Sequence, residues 1–173
     1  MKTTIVYLPA LDFNGELFGR RPQRLLKELA EIGYNVVYIN CCDEYYQVEE
    51  LEYPYPELHN FVVARAGTNV RSLMQDRVVY WVNDSRMASS VETAYPNLVV
   101  FDSLTDPERF EKDKHKMEAI ADVVLITPER IYEHGRYCAH IHVITAEEFE
   151  IKQRAEQIAR IIDDLPNRPA PLM

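Results

Sequence analysis

Three polar clusters follow strongly apolar runs, and each could place chemistry at the end of a strand. Asp102-Ser103-Leu104-Thr105-Asp106 follows Leu98-Val99-Val100-Phe101. A carboxylate there can orient a substrate hydroxyl or take its proton, which makes Asp102 the candidate catalytic group beside an equally open structural role. Asp106 is a ligand candidate that also fits a helix N-cap, because Pro107 and Glu108 complete a helix start. Asn83-Asp84-Ser85 follows Val78-Val79-Tyr80-Trp81-Val82. It can contact a ligand or simply close an Asx turn. The third cluster is the 10–20 loop after Ile5-Val6-Tyr7-Leu8, with Asp12, Asn14, Arg20 and Arg21 as its binding candidates. Two guanidinium groups at a helix start make an anion seat. Together with Arg24 and Lys27 they also fit a solvated helix face.

Other chemistries lack their residues. Gly15 and Gly19 do not make G-x-G-x-x-G, and no G-x-x-x-x-G-K-[ST] occurs, so neither a dinucleotide nor a P-loop cofactor is expected. His140 and His142 fall on one face of a strand, but two ligands without a third do not make a metal centre, and none is expected. G-x-S-x-G and C-x-x-C are absent. Cys41, Cys42 and Cys138 read as reduced, small apolar residues rather than as a disulfide framework. Glu118, late in its helix, reads as a core-edge hydrogen-bonding residue.

The clusters need a frame. Continuous apolar runs at 3–8, 35–40, 58–64, 77–82, 97–101, 123–126 and 139–144 read as strands covered on both faces. Helical patterns fill most gaps. One spans 20–32, with an apolar stripe of Leu25, Leu26, Leu29 and Ile32 and a stop at Gly33. Others fall at 86–95 and 106–121. The last follows the capping box Thr145-Ala146-Glu147-Glu148 and places Ile151, Ala155, Ile158, Ile162 and Leu165 on one face. A short helix is expected at 70–74. The acidic, tyrosine-rich stretch 43–57 has no period and reads as a rim excursion. Alternating βα order predicts an α/β fold: a Rossmann-like three-layer sandwich with a mostly parallel, doubly wound sheet of about six or seven strands. One domain is expected over 1–165, with a Pro-rich tail or linker stub at 166–173. In such a sheet ligands bind at the carboxyl ends of the strands, near the switch point.

At 173 residues the chain has the size of one domain and, with 47% hydrophobic residues, can bury a core. A net charge of -9 disfavours nucleic acid as a partner. The opening apolar run is too short for a signal peptide, and no stretch reaches the roughly 20 apolar residues of a membrane span. A cytoplasmic location is expected, with peripheral association at the inner membrane face left open.

The order of several segments carries a resemblance. Ile5-Val6-Tyr7-Leu8-Pro9-Ala10-Leu11-Asp12-Phe13, then Arg21-Pro22-Gln23-Arg24-Leu25, then Gly33-Tyr34-Asn35-Val36-Val37-Tyr38-Ile39-Asn40 resemble the opening of bacterial GT-B glycosyltransferases, best those of teichuronic-acid and related cell-surface polysaccharide synthesis. Val99 to Asp106 and Glu118 to Thr127 are similar to two later segments of that family. Phe101 and Pro107 depart from the first of these. The segment from Ile141 to Phe149 keeps the family's Phe but lacks its Asn-Gly and Asp. The resemblance spans about residues 1–150. It implies an N-terminal, acceptor-facing domain that takes a glycan or glycoconjugate. It also implies that a nucleotide-sugar donor binds mainly to a second GT-B domain or partner chain, so these residues alone are not expected to catalyse transfer. A non-catalytic Rossmann-like interaction or regulatory module, with 43–57 as its contact surface, stands as the alternative. A small enzyme on a flavodoxin-like sheet stands behind both.

Overall fold

The computed structural model describes residues 2–9, 13, 21–40, 50–94, 96–102, 111–128, 141–144 and 150–168, excluding the side chains of Arg21 and Glu111. The strands are β1 (Thr3–Leu8), β2 (Asn35–Asn40), β3 (Leu51–Glu52), β4 (Phe61–Arg65), β5 (Arg77–Val82), β6 (Leu98–Asp102), β7 (Val123–Ile126) and β8 (Ile141–Val143). They form one sheet in the order β3-β4-β2-β1-β5-β6-β7-β8. Every neighbouring pair is parallel except β3–β4. The chain moves outward from β1 to β2 and β4, then returns to the other side of β1 as β5. The switch point of this Rossmann-like sheet therefore lies between β1 and β5.

Among the described residues the α-helices are α1 (Arg21–Ile32), α2 (Ala88–Ala94), α3 (Glu111–Ile120) and α4 (Ile151–Asp164). α1 and α4 pack together over one face of the sheet. Under them lie Ile5, Tyr7, Tyr38, Phe61, Val79, Trp81, Val100 and Leu125. α2 and α3 cover the other face, over Val6, Leu8, Val82, Val99, Phe101, Val124 and Ile126. The two sets alternate along each strand, because successive side chains point to opposite faces. Burying each large apolar side chain contributes about 1.5–3 kcal/mol.

Local chemistry explains the ends. α1 closes at Gly33, whose φ of 118° suits glycine. The Tyr34 amide donates to Leu29 O at 3.1 Å and the Gly33 amide to Ala30 O at 3.0 Å, which is the Schellman pattern. This closure alters the expected stripe. Ile32 is 46% exposed, and Tyr34 takes the buried place, donating its hydroxyl to Asp163 Oδ1 at 2.8 Å on α4. Leu25, Leu26 and Leu29 are buried as expected, as are Ile151, Ala155, Ile158 and Ile162 on α4.

The sheet has one strand beyond the expected number. β3 forms inside the stretch read as an excursion, pairing Leu51 with Ala64 and Glu52 with Val63. At 70–74 the expected short helix is a single 3-10 turn, Arg71–Leu73. The helix expected at 86–95 begins one residue earlier as a 3-10 turn, Ser85–Met87, and continues as α2. The helix start at Asp106, the capping box and His140 lie outside the described residues. Of the segment read as a tail, the described part meets the amino ends of two strands: the Arg168 amide donates to Asn97 O at 2.8 Å, and its Nε reaches Asp122 Oδ2 at 2.7 Å. Just before it, at the end of the last helix, Leu165 O accepts from Arg77 at 2.7 Å. Among the described residues, no helix is long and apolar enough to cross a membrane.

Candidate functional site

The carboxyl ends of β1, β2, β5 and β6 lie side by side, and polar residues close their apolar runs. Asn40 ends β2, Asn83 follows β5, and Asp102 ends β6. All three are buried. The register decides which face each takes. Tyr7 pairs with Trp81 across β1 and β5. Val82 pairs with Phe101, so Asn83 and Asp102 are level one residue further on. By strand alternation, Tyr7, Asn40, Trp81, Asn83 and Asp102 all belong to the α1/α4 side.

Two hydrogen bonds fix this layer. Asn83 Nδ2 donates to the Tyr7 hydroxyl at 2.5 Å, joining the two strands at the switch point. The Phe13 amide donates to Asn40 Oδ1 at 2.7 Å, which ties the loop after β1 to the end of β2. Phe13 then enters the core edge-on to Tyr38, with ring centroids 5.3 Å apart. Tyr7 packs against Tyr38 at 5.0 Å and Trp81 at 6.3 Å. The polar layer thus rests on an aromatic bed, whose edge-on geometry stiffens it. Gln23 in the first turn of α1 and Arg154 in that of α4 are also buried.

The other side of the same edge is built from charges. Asp84 accepts the Arg86 amide at 3.0 Å and the Arg86 Nε at 2.9 Å, capping the Ser85–Met87 turn. Burial pushes the Asp84 carboxyl up, but the Arg86 hydrogen bonds and charge outweigh it, and the group sits below the usual carboxylate range. α3 packs on this turn and brings Lys114, 5% exposed, and Glu118, 3% exposed, to 3.9 Å of each other.

Asn83 and Asp102 therefore meet at the switch-point edge, while Asp84 is engaged by Arg86 in the geometry of an Asx cap. Asp12, Asn14, Arg20, Asp106 and the side chain of Arg21 lie outside the described residues. Within the basic cluster, Lys27 reaches Glu31 at 3.3 Å and Glu57 at 3.7 Å and sits over the Tyr55 ring. Glu118, read as a core-edge hydrogen-bonding residue, is buried with its Oε1 3.9 Å from Lys114 Nζ. Sequence reasoning overlooks Tyr7, Asn40 and Lys114. For Asn40 a signal exists, since it is the polar residue that ends an apolar run, as Asn83 and Asp102 do. Among the described residues, no group of three or more His, Cys, Asp or Glu side chains is placed to hold a metal ion.

No family model and no curated protein matches the chain. Its fold is similar to that of a sucrose-phosphate synthase structure from Thermosynechococcus elongatus, with a TM-score of 0.63 over 92% of this chain and 97% of that one, at 11% identity. Two fructokinase structures from Xylella fastidiosa, one with bound ATP, overlap less. Their TM-scores are 0.46 and 0.47 at 14% and 13% identity, covering 91% of this chain and 69% and 70% of theirs. At such identity the first likeness is one of fold alone.

Proposed function

We propose that this protein is the acceptor-facing half of a GT-B glycosyltransferase of cell-surface polysaccharide or glycoconjugate synthesis, its donor site supplied by a second domain or partner chain. The observation that carries the reading is the meeting of Asn83 and Asp102 at the carboxyl edge beside the β1/β5 switch point, where sheets of this kind take ligands. The ordered resemblance of residues 1–150 and the sucrose-phosphate synthase-like fold agree with it. On this reading Asp102 orients or deprotonates an acceptor hydroxyl and Asn83 holds the acceptor. Asp12, Asn14, Arg20, Arg21 and Asp106 complete the wall. Half a cleft cannot align donor and acceptor, so transfer requires the second half.

Calorimetric titration with acceptor glycans, UDP and UDP-sugars tests the reading. Glycans bind, UDP alone binds weakly or not at all, and Asp102→Asn weakens glycan binding about tenfold, the loss of one charged hydrogen bond. No binding of any of them at millimolar concentration removes the reading. A second reading, an interaction module, draws on Leu51 and Tyr53, which are 39% and 49% exposed beside the acidic residues Glu50 and Glu52. Under it, a protein partner is lost on Leu51→Lys while glycan titrations stay flat.

A further inference from the structure

The chain turns off α4 at a fixed point. Pro166 biases the residue before it toward extended backbone, and Leu165 has φ -84° and ψ 137°. The turn carries Leu165 to Arg168 along the amino ends of β5, β6 and β7. Arg77, the first residue of β5 and buried, donates to Leu165 O at 2.7 Å, which puts a cation at the carboxyl end of α4. Two residues further along this edge are built alike. Asn97, just before β6, accepts the Val78 amide at 2.7 Å through Oδ1 and donates its own amide to Val78 O at 2.9 Å. Asp122, just before β7, accepts the Val99 amide at 2.7 Å through Oδ2 and donates its own amide to Val99 O at 2.9 Å. Each residue thus clamps the strand beside its own. Arg168 ties the two clamps together. Its amide donates to Asn97 O at 2.8 Å, its Nε to Asp122 Oδ2 at 2.7 Å, and its Nη2 to Ile120 O at the end of α3.

These contacts lie near the surface. The side chains of Arg168 and Asp122 are 31% and 27% exposed, and Pro166 and Asn167 are exposed. Leu165 packs against the core, half-buried. A segment held mainly by polar contacts at the surface opens at a lower free energy than the sheet beneath it. We propose that Leu165 to Arg168 form a strap, latched by Arg168, that closes the amino edge over β5, β6 and β7 and opens as a unit while the sheet stays folded. Arginine suits the latch because its planar fork aims several donors at once, where a lysine ammonium is a single point. Opening frees the Asp122 carboxylate and the Asn97 and Ile120 carbonyls. It does so at the edge opposite Asn83 and Asp102, so the strap is independent of the acceptor-facing reading.

Hydrogen exchange on the full chain, followed amide by amide by NMR, tests the latch. The Arg168 amide is protected about tenfold or more over an unstructured peptide, the worth of one hydrogen bond. It still exchanges about tenfold or more faster than the Val79 and Val100 amides of the central sheet. Low urea scarcely accelerates it, because opening exposes little surface. Arg168→Gln keeps the amide and removes the guanidinium. It speeds exchange at this amide about tenfold and leaves Val79 and Val100 unchanged. Salt at about 1 M speeds exchange in the native chain and not in the variant, because it screens a half-exposed ion pair. An unprotected Arg168 amide shows an open strap and overturns the proposal. So does exchange that follows Val79 at every urea concentration, which makes the segment part of the sheet's own cooperative unit. Both outcomes are read on the native chain and need no variant. Equal exchange in the native chain and Arg168→Gln overturns the latch.

Discussion

The two faces of one sheet are built from different materials. Under α1 and α4 the buried residues include Tyr7, Phe13, Tyr34, Tyr38, Tyr55, Phe61 and Trp81. Under α2 and α3 the core is mainly valine, leucine, isoleucine and alanine, with Phe101 as its buried aromatic ring. The buried polar groups differ as well. The aromatic side joins β1 to β5 by a neutral hydrogen bond from Asn83 to Tyr7 and also buries Asp102 and Arg154, and the aliphatic side buries the Lys114–Glu118 ion pair. The Tyr7 ring reaches from its strand to the edge and places its hydroxyl against Asn83 there. Valines cannot, so on that face the polar work falls to α3 and to the Asp84–Arg86 turn. The carboxyl edge thus draws polar groups from both faces of the sheet.

Core truncation gives the largest contrast. Phe61 touches Phe13 and Tyr55, with the Tyr55 ring edge-on at 5.0 Å. Phe61→Ala leaves a ring-sized void in an interlocked cluster and costs about 3–5 kcal/mol, read as a lower urea midpoint at unchanged slope. Val99→Ala on the other face removes less volume and costs clearly less. Equal losses would break the distinction between the faces.

Breaking the ion pair comes next. Lys114→Met removes the cation beside the buried Glu118 carboxylate and costs about 3 kcal/mol. The double variant Lys114→Met/Glu118→Leu loses less than the two single variants summed, because the two charges leave together. Additive losses in the urea series would show that the two residues act separately and that the charge on this face is not a pair.

How much of this contrast the sequence carries depends on the element. β1, β2 and β5 are legible to the residue because each is a continuous apolar run that only a doubly covered strand can bury. α4 is legible from its spacing. β3 is not, since two residues carry no period and pair only because β4 offers an edge. At the candidate site, the places of Asn83 and Asp102 at the carboxyl edge are legible because each closes an apolar run. Tyr7 is hidden inside such a run. Its partnership with Asn83 exists only once β5 returns to lie beside β1, and local sequence does not contain that register. Lys114 looks like any residue of a polar helix, and its burial depends on where α3 packs, against the Ser85–Met87 turn, α2 and β6.

The neutral bond is worth less than the buried pair. Tyr7→Phe removes the acceptor of Asn83 Nδ2 and costs about 1 kcal/mol, which for a chain of this size lowers Tm by about 2–4 °C. Scanning calorimetry checks it. A shift as large as that of Lys114→Met would mean that this bond organises the whole edge.

The smallest effect concerns Asp84 and Arg86, and it depends on pH. The folded carboxyl lies below its ordinary value of 3.8, so the folded state binds its proton less readily than the unfolded chain does. The resulting stability is present at neutral pH and is lost as pH falls through the folded value. Arg86 is 55% exposed, so solvent and salt screen much of the interaction. Many other carboxylates titrate in the same range, and only a difference isolates this one. The Tm gap between the native chain and Arg86→Gln should stay level from pH 7 to about 5, then close below about 4 as Asp84 takes its proton in both proteins. It should also narrow in high salt. A gap that persists unchanged into acid would mean that Arg86 stabilises the turn through packing of its aliphatic stem, and that the charges on this side of the edge are confined to α3.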